Sequence, residues 1–446
     1  MNYSTPQIKD DFTGLDPVKD SPGLKEPSSY ILISAHHCAP DMGSEHAVGW
    51  NLVSRLARRH KILLITQDNE FRAQIESAIA DLNTDGCQIK VFFVRHGSLT
   101  DGRQNNLRIG YYLTYIVYQW RVYRLAQTLC QDYQIGVAHH LTIVGFREPG
   151  FLWNLGRPFV WGPVGGLVFT PRVLFGELSI KMRLFQEFRN WITWVQFHLS
   201  PRVYCAYKAT QSDRGAFIAA TQDIGRRFLR YFGGTYIWIP ETGSVAPKIP
   251  DVQEIAPRQC HSKLKVLWVG GLLDIKPLGL LLRSIALVPD YRHRIDLTIV
   301  GDGGSRERFE LLASDLGIEA HFVGWVSHRE IPGYFHNADL FVLLSMKDLT
   351  TNVVFESLGN GLPILCLDHH GYSNIVNESC GIKIPLTELK EMQHFIADTL
   401  DHLTRDRKQL AKLAKGAQTR AQEFTWDRNA ECISEIYLRL DTKATG

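Results

Sequence analysis

The stretch from Leu340 to Leu367, LFVLLSMKDLTTNVVFESLGNGLPILCL, decides how the rest of the chain is read. Its ends, LFVLLS and PILCL, are short uncharged apolar runs, the pattern of strands buried on both faces of a parallel sheet. Between them a short helix fits, beginning near Asn352, ending near Gly359 to Gly361 and stopped by Pro363. Strand, helix and parallel strand in so short a span form the repeating unit of a doubly wound α/β domain. Two acids flank the start of that helix: Asp348 precedes it, and Glu356 follows in its second turn, eight positions on.

Outward from this unit the same alternation occurs in two series. The first has apolar runs at YILISAHH, KILLITQ, IKVFFV, GVAHH, PFVWGPV, AFIAAT and TYIWIP. The second has KLKVLWVGG, IDLTIVGDG, AHFVGWV, LFVLLS and PILCL, with longer amphipathic segments between the runs. Between the series, ETGSVAPKIPDVQEIAPRQCHS is rich in proline and polar residues and reads as a linker over 241–262. The reading is therefore a disordered tail over 1–28, a first Rossmann-like domain over 29–240, the linker, and a second domain from 263 to 425. Two such domains in tandem face each other across a cleft, and ligands of these sheets gather at the carboxyl ends of the strands.

Composition narrows the class. With 45% hydrophobic and 21% charged residues the chain has the balance of an ordinary soluble protein. A net charge of +3 gives no reason to expect a nucleic-acid partner. The 8 cysteines form no CxxC pair, which favours reduced thiols in a cytoplasm over disulfides or structural zinc. The first 28 residues lack the apolar stretch of a signal peptide, and no run is long enough to cross a membrane.

The expected strand ends hold the candidate site. Gly43 and Ser44 open a helix after the first strand, where unpaired amides suit an anion. Gly162 lies in the WGPVGG turn after the fifth. In the second domain Gly270 and Gly271 form a glycine turn with Lys276 close behind, a point cation suited to phosphate. If the helix begins at Asn352, the amides of Asn352 and Val353 and the helix dipole offer a diphosphate site. Carboxylates repel phosphate but accept paired hydrogen bonds from adjacent sugar hydroxyls. Asp348 on one side and Glu356 on the other then fit a diphosphate flanked by hydroxylated rings, which is a nucleotide sugar.

These stretches resemble the retaining glycosyltransferases of family 4, which have the GT-B fold. The likeness runs from Ser29 to the last helix and is strongest in DLTTNVVFESLGNGLPI, set beside the family's E-x7-E motif with Asp348 in the first acid's place. APDMGSEHAVGWNL and PFVWGPVGG resemble a bacterial branch of that family. The resemblance implies that Glu356 binds ribose hydroxyls, Asp348 the donor sugar, Lys276 phosphate, and backbone around Gly324, Trp325 and Val326 the base. It also implies front-face transfer with retention of configuration, the leaving phosphate taking the acceptor's proton, and no need of a metal or other cofactor. The acceptor would be a glycan or a lipid-linked molecule, in polysaccharide biosynthesis. Residues 426–446 are expected to form a helix returning to the first domain. The chain departs from the family at Gly271, which stands where the family has arginine, and at Gly162-Pro163, where relatives carry a histidine.

Histidines at other strand ends remain candidates. His37 and His140 are sugar contacts on this reading, with His139 beside them. The pairs His36-His37, His139-His140 and His369-His370 lack HxxH or i, i+4 spacing, so they favour hydrogen bonding in a polar cleft over metal. RQNNLRIGYYLTYIVYQWRVYRLAQTL and RLFQEFRNWITWVQFHLSPRVYCAYK alternate basic and aromatic residues, compatible with a core-packed helix or with peripheral contact on the inner face of a membrane. The rival functions are a GT-B nucleotide-sugar epimerase, a non-catalytic sugar-nucleotide sensor and a dinucleotide-binding oxidoreductase built on GDGGS. The donor, the acceptor and the oligomeric state stay open.

Overall fold

The computed structural model of the chain describes residues 29–96, 108–244, 263–327 and 329–442. The expected tail over 1–28 and most of the expected linker, 245–262, lie outside the described residues. Two parallel sheets form the molecule. The first comprises β1 (Tyr30–Ala35), β2 (Lys61–Asp68), β3 (Gln88–Arg95), β4 (Ile135–Thr142), β5 (Phe159–Val164), β6 (Gly215–Ala219) and β7 (Ile237–Trp238). The second comprises β8 (Leu264–Val269), β9 (Ile295–Val300), β10 (Ala320–Gly324), β11 (Leu340–Leu343), β12 (Ile364–Leu367) and β13 (Gly381–Ile384).

Helices α1 (Ser44–Leu56), α2 (Arg72–Thr84), α3 (Arg108–Asp132), α4 (Ile180–Leu199), α5 (Pro201–Thr210) and α6 (Gln222–Phe232) accompany the first sheet. The second has α7 (Leu278–Ala286), α8 (Tyr291–Arg294), α9 (Arg306–Asp315), α10 (Ile331–Asn337), α11 (Asn352–Gly359), α12 (His370–Ile375), α13 (Leu389–Arg405) and α14 (Arg407–Glu423). The last helix is α15 (Trp426–Thr442).

The strand orders are β3-β2-β1-β4-β5-β6-β7 and β10-β9-β8-β11-β12-β13. In each sheet the chain starts in the middle, runs to one edge, then returns and builds the other side. This is the doubly wound topology, and it opens a crevice where the direction reverses, between β1 and β4 and between β8 and β11. All twelve expected strands are present. The thirteenth, β13, was not expected, because GIKI is too short to stand out as an apolar run.

The burial pattern explains why these segments became strands. Every residue of β4, β5, β11 and β12 is buried, as sheets covered on both faces require. Along β1, Ile31, Ile33 and Ala35 enter one core and Leu32 the other, which is the two-residue period of a pleated strand. A third core surrounds the second sheet. The last helix does not belong to that third core. Trp426, Ala430, Ile433, Tyr437 and Leu440 of α15 follow helical spacing and pack into the first domain's core with Leu52 and Leu56 of α1. The Ser29 hydroxyl donates to Asp441 at 2.8 Å, tying that helix to the start of β1.

The domains meet through several contacts, among them Leu174 and Leu178, which precede α4 and pack into the second domain's core. Leu349 reaches from the loop after β11 and packs between the two cores of the first sheet. A Cβ on Gly165 would lie 2.4 Å from the Leu349 side chain, so the WGPVGG turn needs glycine there to admit it. The Gln222 amide donates to Asn374 Oδ1 at 3.1 Å, and Arg283 pairs with Glu177.

Candidate functional site

The loop between β11 and α11 is the centre of the site. Its backbone is fixed from both sides: the Met346 amide donates to the Ile275 carbonyl at 2.9 Å, joining it to the loop after β8. From beneath, the Ser345 carbonyl accepts from His369 Nε2 at 2.8 Å and from the Tyr372 hydroxyl at 2.6 Å. His370 Nε2 lies 3.1 Å from the Met346 carbonyl. Burial first, and His370 next, lower the pKa of His369 to about 3, so this ring is a neutral donor. The His369-His370 pair therefore supports the loop as a structural floor.

This bracing brings together two side chains far apart in sequence. Lys276 Nζ lies 3.6 Å from Asp348 Oδ2, and both are largely enclosed. Gly270 makes the approach possible, since a Cβ there would lie 3.1 Å from Lys276 Nζ. Gly301, on the neighbouring strand end, has φ +134°, and a Cβ on it would strike the Gly270 carbonyl at 2.0 Å. Gly271 is different: the nearest atoms to a Cβ there are at 3.6 Å, which is ordinary contact.

Helix α11 begins at Asn352, and its N-cap residue, Thr351, forms no side-chain cap. The first amides of a helix have no partner in the preceding turn, so its positive end is open to an anion. Asn352 and Val353 occupy that end, and half-buried Glu356 follows in the second turn beside buried Val354, Phe355 and Leu358. Trp325 is 78% exposed just after β10, next to Val326.

A residue read as linker reaches the same place. Glu241 is only 7% exposed, and its Oε1 accepts the Thr350 amide at 2.8 Å. Its neighbour Thr242 donates to Asn352 Oδ1. The segment is anchored behind by Asn429 of α15, whose Nδ2 donates to the carbonyls of Pro240 and Thr242, each at 3.1 Å. Burial raises the Glu241 carboxyl to about 7, partly opposed by the Thr350 contacts. Glu241 Oε2, Asp348 Oδ2 and the hydroxyls of Thr350 and Thr351 are all enclosed without a hydrogen bond inside the protein. A buried polar atom left so costs about 1–3 kcal/mol, so this loop is less fully paired than the core beneath it.

From the first domain, His37 and Glu45 complete the wall. His37 Nδ1 and Glu45 Oε2 are 2.8 Å apart, and the field of Glu45 reaches Glu241. A Cβ on Gly49 would lie 2.1 Å from the His37 carbonyl, so glycine lets α1 press against this turn. Gly43 is exposed with extended backbone, and Ser44 is the first residue of α1.

The remaining expected contacts are enclosed. His140 is fully buried near Gln119 and Gly150, with its pKa lowered to about 3 by burial first and His139 next. His139 Nε2 bonds the Gly162 carbonyl at 2.6 Å, and its Nδ1 meets the Tyr437 hydroxyl, so it ties β5 to α15. Gly162 has φ +131°, and a Cβ on it would lie 2.1 Å from the Ile218 carbonyl. Its role in the fold is to let β5 and β6 meet.

The sequence reading thus finds Asp348, Lys276, Glu356 and the α11 terminus but passes over Glu241 and Glu45. Glu45 sits inside GSEHAVGW, one residue after the Gly43 and Ser44 backbone that suggests an anion site. Glu241 lies three residues after the last strand of the first sheet, and an acid just past a strand end was the available signal. Among the described residues no group of three or more His, Cys, Asp or Glu is placed to hold a metal ion.

Residues 255–441 match the family model described as glycosyl transferases group 1. The family 4 assignment expected above is corrected by that match. It begins after the GSEHAVGW and PFVWGPVGG stretches, so it does not extend to the motifs on which the bacterial branch rested. The acid pair itself, Asp348 and Glu356, lies inside the matched residues.

The lipopolysaccharide core biosynthesis glycosyltransferase LpsE of Rhizobium meliloti is 25% identical over 178 residues, 39% of this chain and 48% of the relative. A D-inositol 3-phosphate glycosyltransferase of Corynebacterium jeikeium is 28% identical over 182 residues, 39% of this chain and 43% of the relative. The chain thus spans about half the length, or less, of these curated relatives. Anabaena Alr3699/HepE in complex with UDP is similar in structure with a TM-score of 0.55 at 16% identity, covering 92% of this chain and 99% of the other. WaaG, a glycosyltransferase involved in lipopolysaccharide biosynthesis, has a TM-score of 0.55 at 17% identity over 91% and 99%. The fold is GT-B: two Rossmann-like domains facing a cleft.

Proposed function

We propose that this protein transfers a sugar from a nucleotide-sugar donor to a glycan or lipid-linked acceptor, with retention of anomeric configuration. The observation that carries the reading is the convergence of Lys276, Asp348 and the uncapped start of α11 at the β8–β11 crevice, facing the first domain. A diphosphate placed there meets a cation, a helix dipole and unpaired amides together. Asp348 is set to grip hydroxyls of the sugar on one side. Glu356 is set to grip ribose on the other, with backbone near Gly324 and the Trp325 ring available to the base.

In this reading the enzyme works by position and electrostatics. Lys276 and the amides of Asn352 and Val353 stabilise the negative charge that grows on the leaving diphosphate. That phosphate takes the proton of the acceptor hydroxyl as the new glycosidic bond forms on the same face. The names of relatives, among them a lipopolysaccharide core biosynthesis glycosyltransferase and an amylovoran biosynthesis glycosyltransferase, support both the activity and its setting in polysaccharide biosynthesis.

The test is a thermal-shift screen with uridine, guanosine and adenosine diphosphates and their sugars, followed by product analysis with and without acceptor. A shift with one nucleotide sugar and an acceptor-dependent product with unchanged anomeric configuration are expected. No shift with any of them contradicts the donor site, and turnover without acceptor contradicts transfer.

A further inference from the structure

We propose that the outward face of α4 docks on an anionic lipid surface. The inference goes beyond the transfer reading and does not depend on it.

A helix on a soluble protein normally buries its apolar side and shows its polar side. Helix α4 shows apolar residues on both sides: Met182 and Phe197 face inward, and a longer apolar stripe faces outward. Its inward side is tied down by polar groups: buried Gln186 bonds Thr170 at 3.0 Å, and Arg147 donates to buried Thr193 at 2.8 Å. Asn190 Nδ2 donates to the Thr170 carbonyl at 3.0 Å. Outward stand Ile180 at 75% exposure, Leu184 at 68%, Phe188 at 56% and Trp191 at 59%. Their spacing of four, four and three residues puts them in one stripe. Phe185 and Trp194 flank it and are exposed as well. Helix α3 carries a second stripe of this composition, with Leu113, Val117 and Trp120 exposed and Arg124 lying over the Trp120 ring.

Charge decides between the occupants of such a face. Lys181, Arg183 and Arg189 flank the stripe, while the only acid of the helix, Glu187, is held by Arg172 at 2.7 Å. From Gly166 to Lys208 there are six basic residues and two acidic ones, a local excess larger than the +3 of the whole chain. A second copy of the chain related by a two-fold axis would set these cations against each other. An anionic bilayer meets the cations with its headgroups and takes Trp and Phe at the acyl boundary. No helix among the described residues is long and apolar enough to cross a membrane, so the contact is lateral.

The experiment is flotation of the full chain, without donor or acceptor, on vesicles of phosphatidylcholine alone and of phosphatidylcholine with phosphatidylglycerol. The parent should bind the anionic vesicles, less so at high salt. Ile180→Ser/Phe188→Ser/Trp191→Ser should lose about tenfold or more while melting at the parent's temperature, because these side chains are exposed. Lys181→Glu/Arg189→Glu should lose about tenfold or more on anionic vesicles only. Equal binding by the parent and the triple variant, or no binding by the parent, overturns the proposal. A parent dimer in sedimentation that the triple variant abolishes assigns the face to a second copy and overturns it too.

Discussion

Lys276 and Asp348 stand 3.6 Å apart, on loops that follow two adjacent strands, β8 and β11, yet are separated by 72 positions in sequence. The pair joins a cation suited to phosphate with a carboxylate suited to hydroxyls, so each should be separable by mutation. Lys276→Ala should weaken nucleoside diphosphate binding by about 1.5–3 kcal/mol, the scale of a charge-assisted hydrogen bond, and flatten its salt dependence. Calorimetry at two salt concentrations checks this, and unchanged affinity contradicts a phosphate role.

Glu356→Ala should weaken binding of the bare nucleoside diphosphate by about 1.5–3 kcal/mol, because its expected partner is the ribose and not the transferred sugar. A folded variant that binds the diphosphate as the parent does would remove Glu356 from the nucleotide site.

Glu241 gives a prediction in pH. Its pKa is raised from 4.5 to about 7, so the folded state holds a proton that the unfolded state has released. The stability tied to that proton is full below 4.5 and is lost as pH rises through about 7. The buried histidines act oppositely: His36, His139 and His140 are lowered to about 2, 4 and 3, so they favour folding as pH rises toward 6.5. The difference between the parent and Glu241→Gln isolates the carboxyl. Unfolding free energies across pH 4.5 to 8 should show the parent losing about 3 kcal/mol or less relative to the variant. Parallel curves would mean that Glu241 ionises without cost.

Gly271 has room for a side chain, with only Leu273 at 3.6 Å and the Asp302 carbonyl at 3.8 Å from a Cβ there, and it adjoins Gly270 beside Lys276. Gly271→Arg should therefore fold and bind nucleoside diphosphate several-fold more tightly, most visibly at low salt. No gain in affinity from a folded variant would put Gly271 away from the phosphates.

Much of this architecture is legible in the sequence because its determinants are local. LFVLLS, PILCL and PFVWGPV are buried runs whose composition announces strands, and Asn352 to Gly359 announces a helix by its flanking breakers. The acid pair is legible for the same reason, since one loop and one helix carry both members. What sequence could not show depends on contacts between distant segments. Glu241 looks like the start of a polar linker until Asn429 and Thr350 are seen to hold it in the cleft. His140 looks like a strand-end ligand, but the β4 register with β1 and β5 places it inside the sheet. The numbered family was not legible either, since the first-domain stretches that suggested its branch lie outside residues 255–441, where the family model matches.

The most direct measurement is calorimetry of Asp348→Asn beside the parent, with the nucleoside diphosphate and the nucleotide sugar that the thermal-shift screen selects. The substitution keeps size and one acceptor but removes the charge that favours two hydroxyls. The diphosphate should bind the variant nearly as it binds the parent, while the nucleotide sugar binds more weakly and transfer slows. Equal loss of both ligands would place Asp348 at the nucleotide, and no loss of either would contradict the donor site itself.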